Sequence, residues 1–72
     1  MNNFDLLQKE TQNIIDLIAQ KAYKEANHVL LSTSELLDEM FDLSDDDADL
    51  VEITKYQVLL NQLHVKIKQN LQ

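Results

Sequence analysis

The 72-residue sequence contains no glycine, no proline, no cysteine, no tryptophan and no arginine. Each absence excludes something. Glycine supplies the positive-φ positions of tight turns and proline punctuates loops, so an all-β or α/β domain would need several of them. Without cysteine there are neither disulfide staples nor thiolate metal sites, and the expected setting is intracellular. Phosphate backbones are bound mostly with lysine and arginine. With 6 Lys+Arg against 13 Asp+Glu and a net charge of −7, a nucleic-acid partner is not expected. No apolar run approaches the roughly 18 residues of a spanning helix, and no charged-then-apolar leader opens the chain. The expectation is a cytoplasmic protein with no membrane partner.

What is present is helix-forming. Leu, Gln, Glu, Lys and Ala dominate, so the fold class is all-α, and the length suits a single domain over residues 1–72. A step of 100° per residue divides the chain into helices at about 3–20, 22–42 and 45–70. The first places Phe4, Leu7, Thr11, Ile14, Ile15 and Ile18 in one arc, with Asn3 as a plausible N-cap. The second gathers Ala22, Ala26, Val29, Leu30, Thr33, Leu36, Leu37 and Met40, with Tyr23 and Phe41 on the margin. The third gathers Ile53, Tyr56, Leu59, Leu60, Leu63, Ile67 and Leu71. Ser44, with Asp47 three residues on, reads as its approximate capping box, placing Asp45, Asp46 and Asp47 in the first turn. The predicted architecture is a three-helix antiparallel bundle.

Two other readings of the same pattern compete. Ser32-Thr33-Ser34-Glu35 also has the form of a capping box, although the apolar phase runs through it unchanged. Nothing at residues 19–24 demands a break, so the first two helices could run on as one of about 40 residues, roughly 60 Å long. Such a helix needs a second chain, and the alternative fold is a long two-helix hairpin that dimerises. The run Ala19-Gln-Lys-Ala-Tyr-Lys-Glu-Ala26, followed by Val29-Leu30 and Leu36-Leu37, resembles the turn and second helix of a tetratricopeptide unit. The resemblance covers about 20 residues, has no second repeat, and puts Ala22 where a small residue or glycine precedes the tyrosine. It implies a tetratricopeptide-like first hairpin with a turn near residue 21, Tyr23 and Ala26 packing helix on helix.

The chemistry-bearing constellations are incomplete. Glu25 and His28 match the Glu-x-x-His pair of di-iron bundles, but they fall on the solvent side and no inward Glu faces them. The acidic run from Asp42 to Glu52 fails as a calcium loop. A loop starting at Asp45 has Leu50 and Tyr56 where Gly and Glu belong, and one starting at Asp42 has Asp47 and Ile53. His64 is expected at the edge of the third apolar face, half-buried or in an interface. Ser32, Thr33 and Ser34 lack a histidine in local helical reach, and without glycine there is neither a nucleophile elbow nor a phosphate cradle. No enzyme, metal, cofactor or small-molecule substrate is expected.

One pattern rises above this background. Val51, Val58 and Val65 recur every seven residues, nearly opposite the main apolar face of the third helix. Heptad spacing stays aligned along a helix with only about 20° of drift, and valine has no intrinsic merit at an exposed helical position. Leu6 and Leu17 repeat the hint on the first helix. The functional expectation is a small, acidic, non-enzymatic protein–protein interaction module that forms a homodimer or grips a helical protein partner. Leu6, Leu17, Val51, Val58 and Val65 would be its apolar anchors. Asp45, Asp46, Asp47, Asp49 and Glu52 would form a rim that steers a basic partner. The alternative is an acidic inhibitor that mimics nucleic acid and blocks a basic protein site.

Overall fold

In the computed structural model, which describes residues 4–71, the chain forms three helices and, among those residues, no strand. Helix α1 spans Phe4–Ala19, α2 spans Tyr23–Leu43 and α3 spans Asp47–Asn70. The expected cap Asn3 lies outside the described residues. The 24 residues of α3 alone make about 36 Å of helix at the usual rise. The molecule measures only 39 × 20 × 15 Å, so the three helices lie side by side. The chain therefore doubles back at residues 20–22 and again at 44–46, and α2 runs against both neighbours. It packs broadly on each of them, while α1 and α3 touch each other sparingly.

The single 40-residue helix is overturned by the first of these reversals. Lys21 adopts φ 63°, and no other non-glycine position among the described residues has positive φ. Its N–H donates to the Ile18 carbonyl at 2.9 Å, and the Ala22 N–H donates to the Leu17 carbonyl at 2.8 Å. These two bonds make a Schellman ending, which satisfies two of the carbonyls that a helix C-terminus leaves unpaired. Glycine is the usual occupant of the left-handed position. In a chain without glycine a lysine takes it, at about 1–2 kcal/mol. Lys21→Gly should accordingly raise stability by about 0.5–1 kcal/mol after its greater unfolded-state freedom is counted. A thermal melt would register this as a rise of several degrees. A lower midpoint would show that the left-handed turn carries no strain.

The second reversal corrects the start of α3. Ser44 follows the last turn of α2 with φ −93° and ψ 129°, and the N-cap is Asp46, whose Oδ1 accepts the Ala48 N–H at 2.9 Å. Only Asp47 and Asp49 lie in the first turn. Serine and aspartate cap about equally well, so the choice follows from where α2 ends: the helix keeps Leu43, and the reversal occupies Ser44 to Asp46. The second capping box is also not used. Thr33 is buried within α2, and its hydroxyl donates to the Val29 carbonyl four residues back at 2.7 Å. Thr11 does the same to Leu7 in α1.

The core is one cluster of Leu7, Ile14 and Ile18 from α1, Ala26, Leu30 and Leu37 from α2, and Ile53, Leu60 and Ile67 from α3. The two threonines join it with their polar atoms satisfied inside their own helices. Observed faces are narrower than expected. Ile15 and Leu71 are exposed, and Val29, Leu36 and Met40 are half-buried along the margin. The reason is the arrangement itself: with α1 and α3 barely touching, each outer helix covers one row of side chains, not a broad arc.

Candidate interaction face

On α3 the buried row Ile53, Leu60 and Ile67 repeats every seven residues, and so does Val51, Val58 and Val65. The two rows are offset by two residues, about 200° around the helix, so the valines point directly away from the core. They are 56%, 53% and 56% exposed. Fourteen residues separate the ends of the row, about 21 Å along the axis. At its N-terminal end a shallow recess of about 440 Å³ is lined by Asp47, Leu50, Val51, Thr54 and Lys55. A helix with apolar rows on opposite sides has no single wet face, and one of its rows is uncovered here.

The five acidic rim residues, Asp45, Asp46, Asp47, Asp49 and Glu52, are all exposed, but they do different work. Asp46 caps the helix, and Asp47 and Asp49 stand in the first turn, where the macrodipole favours anions. Glu52 pairs with Lys55 at 3.5 Å, in an exposed geometry that contributes little to stability. Asp45 precedes the cap. A structural role for Asp46 separates cleanly from a binding role by substitution. Asp46→Ala should cost about 1 kcal/mol of stability, whereas Asp46→Asn keeps the cap and stays within a few tenths. Equal urea midpoints for the two variants would remove the cap from the account.

The other anchors fall elsewhere. Leu6 is 46% exposed on α1, but Leu17 is packed against the core and lines a recess with Asn13 and Val29. Of the two, only Leu6 is an open apolar side chain, and it sits on a different helix from the valine row. His64, expected half-buried or in an interface, is exposed in the single chain. Leu31 and Leu43 on α2 are exposed apolar residues that the pattern did not single out, Leu43 at 77%, and Phe41, expected on the margin of the apolar face, is 48% exposed. A 100° step puts Leu31 well off the buried row of α2, which was the available signal. Leu43 reads as loop until the helix is seen to retain it.

Glu25 and His28 are exposed beside the Leu17 recess, and no group of three potential metal ligands comes together among the described residues. A polar recess of about 550 Å³ on the outer side of α1 is lined by residues of that helix alone, from Asp5 to Asp16. No second element encloses it. Among the described residues no helix is long and apolar enough to cross a membrane. No protein-family model, no curated protein and no solved structure matches the chain.

Proposed function

We propose that the protein is a non-enzymatic, cytoplasmic protein–protein interaction module that self-associates through the outer face of α3. The observation that carries the reading is the valine row, three residues in seven-residue register, each more than half exposed on the side away from the core. The α1–α2 hairpin belongs to the same reading as a tetratricopeptide-like support. Ala26 is fully buried and Tyr23 is packed against the core, as that hairpin requires.

Magnitudes set the strength of the association. Completing the burial of a half-exposed valine contributes about 1 kcal/mol, so six of them across a dimer give about 6 kcal/mol before any cost of association. The cost of association, about 4 kcal/mol or more, offsets most of this, so the dissociation constant is expected in the millimolar range or weaker. The interface is of the weak, exchanging kind, and two bodies of charge −7 repel at long range.

The test is absolute molar mass by light scattering over a dilution series, from about 10 mM to about 100 µM, where an association this weak registers. The mass should climb from 8.4 kDa toward twice that value as concentration rises. A constant 8.4 kDa throughout would overturn self-association.

A further inference from the structure

We infer that the second copy docks antiparallel, α3 against α3, about a twofold axis passing beside Val58. This rests on the self-association proposed above and adds its geometry. Charge is divided sharply along α3 and its approach. Residues 45–52 carry Asp45, Asp46, Asp47, Asp49 and Glu52 with no base, whereas residues 53–72 carry Lys55, Lys66 and Lys68 with no acid. The macrodipole accounts for charges in the first and last turns, namely Asp47, Asp49 and Lys68. It does not account for the whole division, since Glu52 and Lys66 lie further in.

A parallel pair would set one acidic end against the other and align the two dipoles. An antiparallel pair lays each acidic end along Lys66 and Lys68 of the second copy and opposes the dipoles. The valine row permits this because it is symmetric: Val51 and Val65 lie seven residues on either side of Val58. About the twofold axis Val58 meets its own counterpart, and Val51 meets Val65 of the second copy. The interface is then isologous and closed, so association stops at two. The basic partner that the acidic rim selects is this chain's own C-terminal half of α3.

The chain has no cysteine, so single substitutions report the register without background. In the antiparallel pair residue 51 lies about 21 Å along the axis from its own counterpart, beyond the roughly 7 Å between Cα atoms that a disulfide tolerates. Val51→Cys and Val65→Cys are prepared separately, mixed in equal amounts at a concentration where the wild type is dimeric, and equilibrated in a glutathione buffer. The expected product is the mixed 51–65 disulfide, at least tenfold over either homodisulfide. Predominant 51–51 and 65–65 products would establish parallel pairing and overturn the inference. A statistical 1:2:1 mixture would overturn it too, by placing the contact off α3. Failure of the underlying reading is distinct, because the wild type would then show no dimer by mass at all.

Discussion

Leu37→Ala is expected to lower stability by about 2–5 kcal/mol, the usual cost of removing a buried leucine and leaving a cavity. Leu37 is 2% exposed in α2, the helix that packs on both neighbours. A chain of 72 residues has a total stability of about 4–11 kcal/mol at the usual value per residue, so this one change removes a large share of it. The urea midpoint should fall steeply while the slope of the transition stays the same. Leu31→Ala is the matched control on the same helix: Leu31 is 54% exposed, and its loss should stay within about 0.5 kcal/mol. Equal effects for the two variants would mean that α2 does not sit between its neighbours.

Val58→Lys is expected to weaken self-association at least a hundredfold without harming the monomer. Val58 is the middle of its row, and in either helix orientation it faces its own counterpart. One substitution therefore removes two apolar contacts and sets two ammonium groups side by side. The lost burial and the new repulsion total about 3 kcal/mol, which is more than a factor of 100 in the constant. The fold should be untouched, since the side chain is 53% exposed and lysine forms helix better than valine. Sedimentation at several concentrations reads the first effect, and a thermal melt the second. Wild-type association by the variant would remove the valine row as the contact.

The all-α bundle was legible because helix period and core row are the same fact seen twice: Leu7, Ile14 and Ile18, or Ile53, Leu60 and Ile67, are buried as their spacing predicts. The valine row was legible for the same reason, as a period with the wrong phase for the core. The break after Ala19 was expected, from the three-helix reading and the turn near residue 21 that the tetratricopeptide resemblance implied, but no residue there demanded it over a continuous helix. Its Schellman bonds are made by backbone groups, and its left-handed residue is a lysine, which carries no turn signal. The cap of α3 was placed at Ser44 and lies at Asp46, because serine and aspartate cap about equally well and residue type does not choose between them. Leu17, Ile15 and His64 show a third limit. A flank position is covered or open according to how closely the other helices approach it, and that separation is a property of the assembled bundle.

The two apolar rows of α3 also bear on how the molecule fails. When the bundle opens, α3 releases its core row of Ile53, Leu60 and Ile67 while the valine row is already open, so the freed helix is sticky on both sides. Such a segment joins neighbours in chains, not in pairs, and open chains of this kind grow into aggregates. Destabilisation and precipitation are thus coupled in this protein more tightly than in a bundle whose helices each have one polar side. The proposed dimerisation would oppose both at once, because it would draw the protein toward the folded state and cover the row that nucleates the aggregate.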